Sequence, residues 1–306
     1  MPETLICELP DRALIALSGD AARTFLQGLV TSDMTRATPG QALYAALLTP
    51  QGKILFDFFI IEDSAGFLID CAAVQRDDLA RRLTFYKLRA NVDIAPLDDG
   101  RGVYGVFSND EGAPGFGSAG SVISRDDIIV LVDPRTERAG LRIVGAAAPV
   151  RTYAAGMGAG WTGADAYEAH RTALGLADTA RDIGSGVHFP HDCNFDHFNG
   201  VDFRKGCYVG QEVVSRMHHK TTIRKRMLPV SISGRADDGP LEITADGKPV
   251  GTLLSRAGSH GIALVRTDRV QKAVDEGTGL AAGDAAIMLD DPLWSGGANE
   301  DGKESR

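Results

Sequence analysis

The first third of the chain arranges apolar and polar runs in the manner of an α+β protein. Residues 42–48 and 54–61 are apolar and rich in β-forming side chains, and the Pro and Gly of Thr49-Pro50-Gln51-Gly52 between them predict a hairpin turn. Helices are predicted over residues 20–29, with Asp20 as the N-cap, and over residues 75–88, where acidic side chains come early and basic ones late. Further strands are predicted at residues 13–17, 66–72 and 92–95.

The rest of the chain is less regular and becomes β-rich towards its end. Short strands are predicted at residues 102–107, 128–132 and 141–144, a helix at 164–174, and an irregular segment at 183–199. Beyond Arg226 short apolar runs alternate with turns such as Asp246-Gly247-Lys248-Pro249, a spacing that indicates a small antiparallel barrel. Periodicity alone therefore predicts an α+β protein with a β-rich C-terminal part.

A polar octet interrupts this pattern: Lys205-Gly206-Cys207-Tyr208-Val209-Gly210-Gln211-Glu212. Its two glycines allow backbone to come close to a neighbour or ligand, and a lysine two residues before the cysteine favours the thiolate. A helix that begins at about Cys207 would favour the thiolate too, through its unpaired N–H groups. Such a helix also places Cys207 and Gln211 on one face.

A free cysteine is also a common small core residue. Gln211, Glu212 and Arg216 lie close to Cys207 in the sequence, and buried charges at that density are costly without a ligand or partner. The octet therefore favours a cleft with a reactive thiol over a core position.

Composition limits the classes of protein. With 306 residues and 43% hydrophobic content, the chain can bury a large core in two or three modules. No apolar run reaches the roughly 20 residues that cross a bilayer, and residues 1–11 do not have the pattern of a signal peptide. The cysteines at 7, 71, 193 and 207 include no C-x-x-C pair, which fits a reducing compartment. We expect a soluble cytoplasmic protein without disulfides or membrane contact.

The formal charge of −9 argues against direct, non-specific binding of nucleic acid. Residues 204–226 are nevertheless basic, with Glu212 as their one acidic residue. A solvated face is one explanation of such a run. Because the run adjoins the octet, we expect a site for ligand carboxylates or for a phosphate-bearing partner.

Histidines and cysteines before the octet suggest a metal site as an alternative. The set is His188, His191, Cys193 and His197, together with Cys207. Zinc sites usually present ligand pairs two residues apart on tight turns, and Cys193 has no such partner. We therefore predict no resident metal, and at most one thiol ligand to a shared or transient cluster.

The octet resembles the K-G-C-Y-x-G-Q-E signature of the YgfZ family, whose members resemble the folate-binding T-protein of glycine cleavage. The resemblance covers most of residues 10–290, and the octet is its one specific motif. Other segments fall in the family's order: Phe25-Leu26-Gln27-Gly28, Thr31-Ser32-Asp33, Pro50-Gln51-Gly52-Lys53, residues 203–216 and Gly251-Thr252-Leu253-Leu254-Ser255.

The resemblance implies two intertwined α+β folate-binding modules of the T-protein type, followed by a small C-terminal antiparallel β-barrel. The modules would span residues 1–98 and 99–222, the barrel 223–290, and a disordered tail 291–306. It also implies a role in assembling or repairing iron-sulfur clusters in client enzymes, some of which modify tRNA. The expected partners are folate and iron-sulfur client or scaffold proteins.

The same resemblance assigns roles to residues. Cys207 would contact a cluster, a partner's sulfur or an oxidised thiol, and Lys205 would hold the thiolate. Tetrahydrofolate or a derivative would occupy a central cavity, with Glu212 near the pterin. The remaining expected folate contacts are Thr31, Asp33, Asp57, Tyr208, Gln211, Arg216 and Arg226.

Two other functions stay open. The T-protein carries a paired-acid motif, but Phe56 replaces its first acid here and leaves Asp57 alone. A folate-dependent aminomethyltransferase, other one-carbon transferase or demethylase would depend on Asp57 more than on Cys207. A protein-binding module would use the octet only as an interface.

Overall fold

The computed structural model describes residues 4–108, 117–125, 127–220, 222–237 and 239–290. The predicted tail at 291–306 lies outside this range. The helices of the described residues are Ala22–Gln27 (α1), Arg76–Lys87 (α2), Ala147–Met157 (α3), Ala164–Ala173 (α4), Gln211–Lys220 (α5) and Thr267–Asp275 (α6). The strands are Thr4–Glu8 (β1), Arg12–Ser18 (β2), Leu43–Leu48 (β3), Ile54–Asp63 (β4), Gly66–Ala72 (β5), Asp93–Pro96 (β6), Arg101–Ser108 (β7), Val122–Arg125 (β8), Ile128–Val132 (β9), Leu141–Ala146 (β10), Gly160–Trp161 (β11), Lys225–Ser233 (β12), Leu241–Ala245 (β13), Lys248–Ala257 (β14), His260–Arg266 (β15), Leu280–Ala282 (β16) and Ala285–Leu289 (β17).

The first sheet is antiparallel and has the strand order β3-β4-β5-β2-β6. The predicted hairpin is present, because β3 and β4 pair across the turn at 49–52. One face packs on α1 and α2, where Leu26, Leu79 and Leu83 meet Phe58 and Ile60 of β4. Both strands of the hairpin are largely buried, which explains their almost continuous apolar character.

The second sheet has the order β11-β1-β7-β10-β9-β8. Its strand β1 precedes the whole first sheet in the sequence, yet β1 pairs with β7 and β11. Helix α3 covers this sheet by packing Val150 and Ala154 near Ile143. The chain thus enters the second sheet, builds the first and returns, so the two α+β modules are intertwined as predicted.

A buried ionic network joins the two sheets. Asp70 of β5 accepts from Arg12 at 2.7 Å and from Arg142 of β10 at 2.7 Å. Arg142 also lies 4.1 Å above the centre of the Phe59 ring and 3.5 Å from Asp133. Because buried charges require partners, this network fixes how the sheets face each other.

The C-terminal strands close into a barrel with the order β12-β15-β14-β13-β16-β17. Val230, Leu253 and Ile287 lie in its core, and α6 adds Val270 and Ala273. The predicted antiparallel barrel is therefore confirmed.

Local details differ from the sequence-based expectations. Helix α1 begins after Ala21, so Asp20 is not its N-cap. Strand β1 and helices α3 and α6 were not predicted, and helix α5 begins at Gln211 instead of Cys207. The domain bounds drawn from the sequence stay predictions. No helix in the described part of the chain is long and apolar enough to span a membrane.

Candidate functional site: an exposed thiol and a histidine-lined cavity

Cys207 is the exposed cysteine, whereas Cys7, Cys71 and Cys193 are buried. Burial raises the pKa of Cys7 to about 11 and that of Cys71 to about 12. Burial also raises the pKa of Cys193 well above its usual value. Since the thiolate is the reactive form, the three buried cysteines are inert at neutral pH and Cys207 is the accessible thiol.

Two glycines hold the loop that carries Cys207 against the β3–β4 hairpin. Gly210 and Gly52 have φ values of +84° and +81°, where residues with side chains are rarely found. A Cβ on Gly210 would lie 2.6 Å from the Thr49 oxygen and 3.0 Å from Gly52 Cα, and a Cβ on Gly52 would lie 2.9 Å from Val213 Cβ. The octet and the Pro50–Lys53 segment are therefore one packed unit.

Lys205 anchors the same loop from the inside. Its Nζ donates to the carbonyl oxygens of Gln27 at 2.9 Å, Val30 at 2.6 Å and Ser32 at 2.9 Å. Burial lowers the pKa of Lys205 to about 8, while the charges of Asp33 and Asp202 act in the opposite direction. The ammonium donates to three backbone carbonyls, and the expectation that it also holds the thiolate stays a prediction.

Other octet residues do not form the predicted common face. The Tyr208 ring is buried beneath Lys205 Nζ, at 5.0 Å, and burial raises its pKa. Gln211 donates to the Lys205 carbonyl at 3.4 Å, whereas Glu212 and Arg216 are exposed on α5. Cys207 lies four residues before α5 and does not share a helix face with Gln211.

Three of the expected folate contacts form hydrogen bonds with other residues of the protein. Asp57 is 2% exposed and accepts hydrogen bonds from Tyr44 Oη at 3.1 Å and from Thr179 N at 2.8 Å. Thr31 Oγ1 donates to the Gly200 oxygen at 2.5 Å, and Asp33 caps the short 3₁₀ helix Met34–Arg36. These contacts hold loops in place, and a role of the three residues in folate binding stays a prediction.

A cavity of about 780 Å³ lies beside α5, and we call it the His191 cavity. Rings line one part of it: Phe203 and His218 stack with centroids 3.7 Å apart and planes inclined by 12°. His191 lies beside both, with its ring centroid 5.6 Å from that of Phe203 and 6.0 Å from that of His218. Another part of the cavity wall is positively charged and is formed by Arg36, Arg204 and Arg226.

The three arginines differ in how their charge is compensated. Arg226 donates to both carboxylate oxygens of Asp196, at 2.6 and 2.8 Å, and Arg36 lies 3.7 Å from Asp202. The Arg204 side chain is exposed and makes no ion pair within the described residues. Three arginines against two carboxylates leave one positive charge in the described lining, and two of these arginines, Arg204 and Arg226, belong to the basic run.

His191 is the least expected part of this cavity. It is 1% exposed, yet neither ring nitrogen has a hydrogen-bond partner among the described residues. Burial lowers its pKa to about 4, against the attraction of Asp196. The imidazole is thus neutral at pH 7, with an unused donor and an unused acceptor.

The basic run at 204–226 placed Arg204, His218 and Arg226 at an expected anion site, whereas Arg36, His191 and Phe203 were not predicted as members of it. Arg36 lies 155 residues before His191, and only the fold brings the two together. Among the described residues no group of three His, Cys, Asp or Glu side chains is arranged to hold a metal ion. Of the histidines that suggested a metal site, His191 and His197 line this cavity.

The fold defines the class of protein first. The structure matches the glycine cleavage system aminomethyltransferase T from Bartonella henselae with a TM-score of 0.73 and 16% identity, over 95% of this chain and 86% of that one. The family model for the "CAF17, C-terminal beta-barrel domain" matches residues 224–297. The predicted T-protein-like fold with its C-terminal barrel is thereby confirmed.

Curated relatives then identify the family. The chain is 30% identical to the human iron-sulfur cluster assembly factor IBA57, over 86% of this chain and 78% of that protein. It is 31% identical to the IBA57 homologue of Chaetomium globosum, over 98% and 80% of the two chains. The protein belongs to the IBA57 family of iron-sulfur cluster assembly factors. The resemblance to T-protein-like iron-sulfur assembly proteins is confirmed at this level, while the narrower YgfZ assignment stays a prediction.

Proposed function

We propose that this protein assists the assembly or repair of iron-sulfur clusters in client or scaffold proteins, with Cys207 as the residue that meets the cluster. Family membership supports the role in cluster assembly. The assignment of Cys207 as the cluster-binding residue is supported by its exposure, since the other three cysteines are buried. A thiolate that ligates iron gives an electron pair to the metal after losing its proton to water. The cluster is the cargo of this step, and the packed octet presents the sulfur to it.

Reduced folate is the second part of the proposal, and the His191 cavity fits it. A volume of about 780 Å³ lies within the roughly 300–1,000 Å³ of small-molecule sites. Arg36, Arg204 and Arg226 suit the carboxylates of a glutamate tail, and the Phe203–His218 stack offers a flat surface for an aromatic ring. Bound tetrahydrofolate would supply a pterin ring that carries one-carbon units or electrons. The protein's residues would bind and orient it.

Asp57 does not favour the one-carbon transferase. Its carboxylate is buried, and Tyr44 and Thr179 donate hydrogen bonds to it. A residue that assists the folate nitrogen must reach the ligand, and Asp57 instead joins β4 to the segment that contains Thr179. The thiol is therefore the better candidate for the chemistry.

The experiment is complementation of cells that lack their own IBA57 factor. Wild-type protein, Cys207→Ala and Cys207→Ser are expressed, and the activities of iron-sulfur enzymes are compared with those of cluster-free enzymes. We expect both variants to lose support of the iron-sulfur enzymes while calorimetry shows their folate affinity nearly unchanged. Gly206→Ala is the matched control, since it keeps the thiol and its added Cβ meets open space.

Two outcomes would overturn this proposal. Full complementation by Cys207→Ala, combined with no folate binding, would leave a protein-interface module. Turnover of methylene or formyl folate that depends on Asp57 would establish the transferase. The client enzymes, including those that modify tRNA, and the cytoplasmic location stay predictions, although the relatives cited above are named as mitochondrial.

A further inference from the structure

We propose that the His191 cavity binds an anionic ligand carrying a planar polar ring, and that His191 recognises the polar edge of that ring. The identification of the ligand as folate rests on the proposed function, but the existence of the site does not. The two ring nitrogens of His191 are buried without a partner within the described residues. Such groups cost free energy, so proteins rarely keep them without a use.

The surroundings of His191 specify a flat ligand. Phe203 and His218 already form a parallel stack at 3.7 Å, and both ring centroids lie within 6.0 Å of the His191 centroid. His218 is exposed in the last turn of α5, so a rotamer change of that side chain can admit a ring beside Phe203. A ring in this place would present its edge to the His191 imidazole.

The charges specify an anion. Asp196 offsets Arg226, and Asp202 offsets Arg36, which leaves Arg204 as the uncompensated cation of the described lining. A carboxylate or phosphate on the ligand would complete this pairing. Two sources have this chemistry, a folate with its glutamate carboxylates and a nucleotide with its phosphates.

The neutral imidazole of His191 also determines which hydrogen-bonding groups the edge of the ligand ring must carry. One nitrogen donates and the other accepts, so a ligand or a water beside it must supply the complementary group. Pterins and purines both carry ring nitrogens and amino groups of this kind. A purely aliphatic dicarboxylate or inorganic phosphate lacks them and is expected to bind more weakly.

The test is calorimetric titration of the 306-residue protein with 5-formyltetrahydrofolate, with ATP and with inorganic phosphate. We expect one of the two ring-bearing anions to bind more tightly than phosphate. His191→Phe keeps an aromatic ring but removes both nitrogens, so it should weaken that binding about tenfold or more. The same variant should raise the melting temperature without ligand, because it removes two unpaired buried groups.

Further variants separate recognition from packing. His191→Gln keeps a donor and an acceptor and should retain more affinity than His191→Phe, whereas a packing role predicts the reverse order. Arg204→Gln should weaken binding several-fold with no change in melting temperature. Its control is Arg89→Gln, an exposed arginine that follows α2 and lies outside the described lining of the cavity. Arg204→Gln also tests the site if His191→Phe does not fold.

The outcomes distinguish this inference from the proposed function. If ATP binds and 5-formyltetrahydrofolate does not, the ligand site is supported but folate is removed from the proposed function. Folate binding that is unaffected by His191→Phe would keep the proposed function and overturn the role of His191. If neither ring-bearing anion binds, the inference is wrong. The role of Cys207 is then still decided separately by the complementation experiment.

Discussion

Gly52 and Gly210 pack against each other, with the position of a Gly210 Cβ only 3.0 Å from Gly52 Cα. The contact joins the hairpin of the first sheet to the loop of Cys207. We expect Gly210→Ala to lower the free energy of unfolding by about 2–4 kcal/mol, from its left-handed backbone and from overpacking. Denaturant titration measures the loss. Gly206→Ala, four residues earlier and in open space, should change stability by less than about 0.5 kcal/mol. Equal effects of the two substitutions would contradict the packing account.

Lys205 is expected to act as an anchor. Lys205→Met leaves the carbonyls of Gln27, Val30 and Ser32 without their donor, and we expect a loss of about 3 kcal/mol in unfolding free energy. The alkylation rate of Cys207 in the folded variant should not fall, because the ammonium gives its three hydrogen bonds to these carbonyls. Slower alkylation with unchanged stability would instead establish the electrostatic role that the sequence suggested.

The fold was largely predictable, whereas the site was predictable only in part. The hairpin and the barrel follow from local patterns, since turn residues separate short apolar runs that pair with their neighbours. The role of Lys205 depends on carbonyls 173 to 178 residues away in the sequence. No local pattern reports such a contact. Likewise, the sequence contains His191 but does not show that its ring nitrogens are without partners in the described part of the chain.

Asp70 should be among the most sensitive polar residues between the two sheets. It is 1% exposed and holds both Arg12 and Arg142. Asp70→Asn removes the carboxylate charge that pairs with Arg12 and with the buried guanidinium of Arg142, so we expect a loss of about 3–5 kcal/mol in unfolding free energy.

Exposed carboxylates provide the control for Asp70. Asp98 pairs with Arg76 at 2.7 Å, but its side chain is 78% exposed. Solvent screens such a pair, and Asp98→Asn should cost far less unfolding free energy than Asp70→Asn. Chemical unfolding of both variants in the same buffer makes the comparison. A cost for Asp70→Asn as small as that for Asp98→Asn would show that water reaches the network.

The buried imidazole of His191 makes stability depend on pH in the acidic range. Its pKa is about 4 in the folded protein, against 6.5 ordinarily. Between these two values the unfolded chain binds a proton that the folded protein does not, so stability rises with pH through this window and is lost on acidification. An interval of about 2.5 pH units at about 1.4 kcal/mol per unit corresponds to about 3 kcal/mol.

His191→Phe lacks this titration, so its unfolding free energy relative to wild type should increase as the pH falls from 6.5 to 4. Urea unfolding across this range measures the difference, and His219→Phe, which removes an exposed histidine of α5, is the control. Parallel profiles for wild type and His191→Phe would mean that His191 takes up its proton in the folded state. The cavity would then present a cation and not a neutral donor and acceptor, and the ligand it selects would be an anion without the complementary ring edge.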